Sequence, residues 1–274
     1  MDAQPRGTDL EALKERQRRA WASGDYAAFG APLLIMGELL CEAVDLRPGW
    51  RVLDVATGSG NTALAAARRS CEVTGADYVP TLLERGRERA AAERLEVSFL
   101  EGDAEDLPFP DSSFDAVLSS IGVMFAPDQE RAAGELLRVC RSGGRIGLAN
   151  WTPDGFASEL AALFGRYAGA PPPGFQPPAL WGTEERLREL FGDGVSSVGV
   201  SRRGFVFRYR SFEHYADVLR RDLGPTRQTF EGLDGAGEQQ LRGELADLVR
   251  RFNRSGDGTV VVPSDYLEVV AVRR

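Results

Sequence analysis

The chain has 274 residues, a formal net charge of −8 and a pI near 5.0. That acidity argues against general binding to nucleic acid or to a membrane surface, both of which call for a basic face. The length suffices for one large domain, or for a domain with an elaboration, built around a full core.

Residue usage narrows the chemistry further. Lys14 is the only lysine and His214 the only histidine. One histidine excludes HExxH, a multi-histidine metal centre and a two-histidine dyad, and no G-x-S-x-G elbow occurs to support a serine triad. No metal is expected. Cys41, Cys71 and Cys140 are odd in number and far apart, with no CxxC, which points to free thiols in a reducing cytoplasm. The opening stretch MDAQPRGTDLEALKERQ has no apolar signal-peptide core. The apolar run APLLIMGELLC (31–41) is short for a bilayer span and contains Glu38.

In chain order, Thr8 with Glu11 forms a capping box that predicts a charged helix to about Trp21. The stretch 23–25 (SGD) breaks it, and Pro32 opens a second, apolar helix to about Ala43. Strands are predicted at 51–56, 72–77, 96–100, 114–119 and 145–150, with helices at 60–69, 80–93 and 128–140 and a stop at RSGG (141–144). Short apolar strands alternating with helices indicate an α/β fold with a doubly wound sheet. The second half is less regular. Five prolines make 169–182 an extended loop, 183–192 a short helix and 195–210 a strand with Phe205, Phe207 and Tyr209 alternating. Helices near 211–223 and 236–253 and a last strand at 266–274 complete the chain.

The chemistry concentrates in WRVLDVATGSGNTAL (50–64), where Gly58, Gly60 and Ala63 fit the dinucleotide fingerprint G-x-G-x-x-G/A. A pyrophosphate at that loop needs positive potential. Asp54 puts a carboxylate four residues before Gly58, which suits a cationic ligand such as S-adenosylmethionine, with its ammonium and sulfonium. Asp77, at the end of the second strand, serves the ribose of either ligand. Asp103, just past the third strand and followed by Ala104, can accept from an adenine amino group. Singly each acid reads as a turn or cap residue; together, at three successive strand ends, they read as a site.

The stretches VLDVATGSGNTAL, GADYVPTLLERGRERA, GDAEDLPFPDSSFDAVLSS and LLRVCRSGGRIGLANW resemble successive motifs of the class I S-adenosylmethionine-dependent methyltransferases. The resemblance covers residues 47–152 and is nearest the branch that includes ubiquinone- and menaquinone-biosynthesis enzymes. It implies a Rossmann-like seven-stranded sheet with an antiparallel last strand. It also implies that residues 1–45 cover the cofactor, 46–210 form the core, 211–262 form a helical insertion over the active site, and 263–274 supply the last strand. The cofactor residues it implies are Ala56, Gly58, Gly60 and Asn61 in the loop, Asp54 toward the ammonium, Asp77 and Tyr78 at the ribose and adenine, Asp103 and Ala104 at the adenine edge, and the Ser119 carbonyl toward the ammonium. Ala56 stands where many relatives have glycine.

Methyl transfer needs alignment and dehydration rather than a compulsory base. His214 is the sequence candidate for a base, on a helix whose predicted faces are Phe212, Tyr215, Ala216, Leu219 and Leu223 on one side and His214, Asp217, Val218 and Arg221 on the other. That polar face either lines a cleft or is solvated. Trp21 and Tyr26 read as packing residues, and Met124 and Phe125 as acceptor pocket or core. The expected acceptor is a small molecule, with no nucleic acid and no membrane, and the oligomeric state is open. Rival readings are a nicotinamide-dependent oxidoreductase, a non-catalytic S-adenosylmethionine-binding protein, or use of the sulfonium only as an electrostatic aid.

Overall fold

A computed structural model describes residues 6–274. It begins with helices α1 (Arg6–Ala22), α2 (Tyr26–Gly30) and α3 (Leu34–Val44), the last two joined by a 3-10 turn at Ala31–Leu33 that contains Pro32. The backbone is already helical at Arg6, so Thr8 lies inside α1 rather than at its cap; the Thr8 side chain itself lies outside the described residues. Asp25 caps α2, its side chain accepting from the Ala28 N–H. Tyr26–Val44 forms one apolar helical run of 19 residues with mean hydropathy 1.6. By length and composition it could cross a membrane, so the reading of 31–41 as too short does not hold. Its inner residues Met36, Leu40, Cys41 and Val44 are nevertheless buried in the main core.

The sheet then alternates with helices: β1 (Arg51–Val55), α4 (Asn61–Ala67), β2 (Glu72–Asp77), α5 (Pro80–Glu93), β3 (Val97–Glu101), β4 (Phe114–Ser120), α6 (Gln129–Val139) and β5 (Cys140–Trp151). Beyond it come α7 (Phe156–Gly165), α8 (Glu184–Phe191), β6 (Val195–Tyr209), α9 (Phe212–Asp222), α10 (Gly224–Glu231), α11 (Gly235–Phe252) and β7 (Val260–Arg273). The seven strands run in the order β3-β2-β1-β4-β5-β7-β6, with β7 antiparallel to both its neighbours. This is the expected doubly wound α/β sheet with an antiparallel last strand.

Three local differences from the sequence reading have physical causes. RSGG does not precede β5 as a stop but bulges within it, four residues separating the partners of Phe114 and Ala116. β7 begins at Val260 rather than 266, through Pro263, because at that point it pairs only with β6 and a missing N–H interrupts no β5 ladder. Helices α7 and α10 escaped prediction. α10 opens with Gly-Pro, an ordinary turn signal, while α7 is only ten residues long.

The main core fills both faces of the sheet, with Leu53, Val55, Val117, Leu118 and Leu148 fully buried. A second core joins α7, α9, α10, α11 and the start of β7 through Phe156, Phe164, Tyr215, Leu219, Phe230 and Leu245. In α11, Leu241, Leu245, Leu248 and Val249 make one buried stripe at helical spacing. The helices between β6 and β7 therefore form a cap with an apolar interior, set beside the carboxyl ends of the strands.

Candidate active site

Asp54 is the next-to-last residue of β1 and only 2% exposed. Its Oδ2 accepts from Thr57 Oγ1 at 2.6 Å and from the Ala63 N–H at 3.0 Å, which ties the glycine loop to the start of α4. Among the described residues nothing donates to its Oδ1, and the residue lines a large cavity. Burial pushes this carboxyl up to about 7, against the hydrogen bonds from Thr57 and Ala63. Asp77 closes β2 and accepts from the N–H groups of Gly58 and Val79, each at 2.9 Å. Burial pushes it up to about 6.

The loop between these acids is bent by left-handed residues: Ala56 at φ 53°, Gly58 at 55° and Gly60 at 86°. Alanine tolerates that region at a cost of about 1 kcal/mol, and glycine at none. Across the site Ile121, which follows β4, also has φ 53°, a genuine outlier for a β-branched residue. Backbone strain thus collects on both sides of one opening, as it does at functional sites.

Two connected cavities lie there. The smaller, about 130 Å³, is bordered by Asp77, Tyr78, Asp103, Ala104 and, from α1, Lys14. The larger, about 920 Å³, is roofed by α1, α2, α7, α9 and α10 and by the proline segment at Phe175–Pro178. Trp21, Tyr26, Ala56, Gly58, Ile121 and Phe125 line both, so the two spaces meet at these residues. Trp21 packs on Phe125 with ring centroids 5.1 Å apart and on Tyr26 at 5.5 Å. Met124 is buried and also borders the larger space.

Lys14 is a site residue that sequence reasoning noted but did not use. Its ammonium bonds Asp103 Oδ2 at 2.8 Å and lies 2.5 Å from Glu105, which is itself 3% exposed. Burial works against its charge, but the two carboxylates more than offset this and hold it above the usual lysine range. The Glu105 N–H bonds the other oxygen of Asp103 at 2.9 Å. Arg18 adds a second tie from α1, to Glu101 at 2.7 Å. The only signal in the sequence was that a chain so rich in arginine retains a single lysine.

Six of the sequence candidates come together at the smaller cavity: Ala56, Gly58, Asp77, Tyr78, Asp103 and Ala104. Asp54 and Asn61 line the larger one. Four assignments require correction. Asn61 spends its amide inside the protein, donating to the Gly30 carbonyl at 2.9 Å and accepting from Arg89 at 2.8 Å. Gly60 lines neither cavity; it caps α4, and a Cβ there would stand 3.0 Å from the Phe99 ring. Ser119 is fully buried, its Oγ donating to the Val55 carbonyl and accepting from the Val123 N–H, and β4 runs one residue further, so Ser120 and Ile121 reach the larger space instead. His214 lines neither cavity, because α9 turns Tyr215, Ala216, Val218 and Leu219 inward. Its Nδ1 accepts from the Arg210 N–H at 3.3 Å and its ring meets Tyr209 edge-on. Val218, assigned to the polar face, is buried.

Comparison with known proteins bears on the family and the fold. The methyltransferase-domain family model matches residues 53–148. The Mycobacterium tuberculosis protein designated uncharacterized protein Rv1405c is 37% identical over 268 residues, spanning 96% of each chain. The demethylmenaquinone methyltransferase of Thermus thermophilus is 44% identical over 128 residues, 46% of this chain and 58% of that one. Among solved structures, the YcgJ protein of Bacillus subtilis superimposes with a TM-score of 0.60 at 20% identity, over 86% of this chain and 97% of that one. Phosphoethanolamine N-methyltransferase 2 of Haemonchus contortus, solved with S-adenosyl-L-methionine, gives 0.55 at 16% identity, over 87% and 52%. At these identities the structural likeness concerns the fold alone.

The fold and the family place the chain among the class I S-adenosylmethionine-dependent methyltransferases. Within them it carries the type 11 methyltransferase domain, and over 128 residues it is similar to a demethylmenaquinone methyltransferase.

Proposed function

We propose that the protein transfers the methyl group of S-adenosylmethionine to a small-molecule acceptor held in the larger cavity. The observation that carries this reading is Asp54: a buried carboxylate beside the glycine loop, with one oxygen unclaimed among the described residues and facing that cavity. A buried acid in such a position calls for a cationic group and opposes a pyrophosphate.

Asp54 Oδ1 then holds the ammonium, and the backbone at Ala56 and Gly58 approaches the methionine part. Asp77 keeps lone pairs for the ribose hydroxyls while its other contacts fix Gly58 and Val79. Tyr78 flanks the adenine, whose edge meets Ala104 and the Asp103 carboxylate, the latter oriented by Lys14. When bound, S-adenosylmethionine supplies an electrophilic methyl whose carbon–sulfur electrons return to sulfur as the acceptor's pair forms the new bond. The residues around it align the acceptor and exclude water. Among the described residues Asp54 is the one carboxylate lining the larger cavity, and this reading assigns it to the ammonium rather than to a proton of the acceptor.

Calorimetric titration with S-adenosylhomocysteine, and separately with NADH and NADPH, tests the reading. Micromolar binding of S-adenosylhomocysteine alone supports it. Binding of a nicotinamide cofactor in its place overturns the charge argument and the proposal with it.

A further inference from the structure

A cavity of about 920 Å³ lies at the upper end of the range of small-molecule sites. Its walls show what it accepts. Of the residues that line it only Arg16 and Asp54 carry charge. Arg16 is exposed, and Asp54 serves the ammonium in the reading above. The remaining walls are mostly aromatic and aliphatic, with Trp151, Phe164, Phe207, Tyr209 and Tyr215 among them, interrupted by uncharged polar side chains such as Gln17, Ser158 and Gln228. An ionised acceptor buried here would lose its hydration and find only the solvent-exposed Arg16 as counter-charge to an anion, which leaves a net penalty. A flat apolar body would gain stacking and burial against the aromatic and aliphatic part of the wall.

One polar group stands where the two cavities meet. Tyr26 lines both, and its Oη accepts the Gly224 N–H at 3.2 Å. Among the described residues nothing accepts its O–H proton. Burial holds the phenol well above its ordinary range, so it remains a donor. Its place is rigidly built. The Asp25 N–H donates to the Asp222 carbonyl at 2.9 Å. A Cβ on Gly224 would fall 1.8 Å from the Ala20 carbonyl oxygen, so only glycine lets α10 close on α1 there. Leu223, Pro225 and Thr226, on either side of that contact, line the larger cavity.

We propose that the acceptor is an uncharged, mainly apolar, ring-bearing molecule, and that Tyr26 is the positioning residue whose O–H donates to an acceptor oxygen where the two cavities join. The inference rests on the methyltransferase reading for its account of Asp54, and it goes further by defining the acceptor class and how it is oriented.

The test uses the full chain with S-adenosylhomocysteine at saturation and three probes of similar size: 1-methoxypyrene, 1-ethylpyrene and pyrene-1-acetate. Binding is followed by quenching of tryptophan emission, since Trp21 and Trp151 line the cavity. A hydrogen bond to an otherwise unpaired donor predicts about five- to tenfold tighter binding of 1-methoxypyrene than of 1-ethylpyrene. Pyrene-1-acetate should bind at least about tenfold more weakly than either, as expected for an unpaired buried charge. In Tyr26→Phe the methoxy-to-ethyl ratio should fall to about one, a change that a loss of packing alone would not produce. Equal binding of 1-methoxypyrene and 1-ethylpyrene by the unaltered protein removes the role of Tyr26, whether or not the variant folds. Tight binding of pyrene-1-acetate overturns the uncharged class. If S-adenosylhomocysteine itself fails to bind, the methyltransferase reading falls first, and that result is distinct from either of these.

Discussion

The Gly58 N–H points at the carboxylate of Asp77, 2.9 Å away, so the loop after β1 and the end of β2 form one unit. Asp77 also accepts from Val79 at the start of α5. One carboxylate therefore organises the loop before any ligand arrives.

Asp77→Ala accordingly has two effects. S-adenosylhomocysteine affinity should fall by about 100-fold with the loss of the ribose contacts, of the order expected for charged hydrogen bonds. Stability should also fall, by about 1–3 kcal/mol, because two N–H groups lose their partner. Calorimetry and urea denaturation separate the two. Unchanged affinity in a folded variant would remove Asp77 from the site.

Asp54 gives the site a pH dependence. Its folded pKa, about 7, lies above its unfolded value, so the folded ligand-free protein binds more protons between those limits. Ligand-free stability should therefore decline as pH rises from about 4 toward about 7. The ammonium binds the ionised form, so affinity runs the other way. S-adenosylhomocysteine should bind about tenfold more weakly at pH 6 than at pH 8, from the ionised fraction alone. Asp54→Asn should flatten that profile.

Lys14→Met tests the hold of α1 on the cofactor pocket. It leaves Glu105, buried and facing Asp103, without its cation. Removing one member of such a cluster costs about 3–5 kcal/mol when fully buried and less here, because Asp103 is partly exposed. Hydrogen exchange should quicken across Arg6–Ala22, and S-adenosylhomocysteine affinity should fall. Unchanged exchange would mean that Trp21, the Arg18–Glu101 pair and the packing of Ala20 on Gly224 keep α1 in place without Lys14.

Ala56→Gly should leave the protein as stable or up to about 1 kcal/mol more stable. Relief of the left-handed strain at φ 53° outweighs the greater chain entropy of glycine. A clear loss in a urea titration would show that the methyl group packs usefully against Gly122, where a Cβ would come within 2.8 Å of it.

Gly224→Ala should destabilise by about 1–3 kcal/mol, as overpacking does. It should also loosen the seat of Tyr26, which a lower melting temperature together with weaker 1-methoxypyrene binding would reveal.

The sequence alone determined the sheet and the acids at its strand ends. Strand periodicity, turn residues and the spacing of Asp54, Asp77 and Asp103 are local signals that survive without contacts. Tertiary structure decided the rest. Lys14 lies 89 residues from Asp103, and Tyr26 lies 198 from Gly224, so no window of sequence could pair them. α10 carries the local signals of a turn and is a helix because Thr226 and Phe230 bury themselves against neighbouring elements. His214 looked chemical because its helix had two plausible faces, and only the packing of Tyr215, Val218 and Leu219 decided which one turned inward. Local patterning thus set which elements form, and burial between distant elements set which of their side chains meet the ligand.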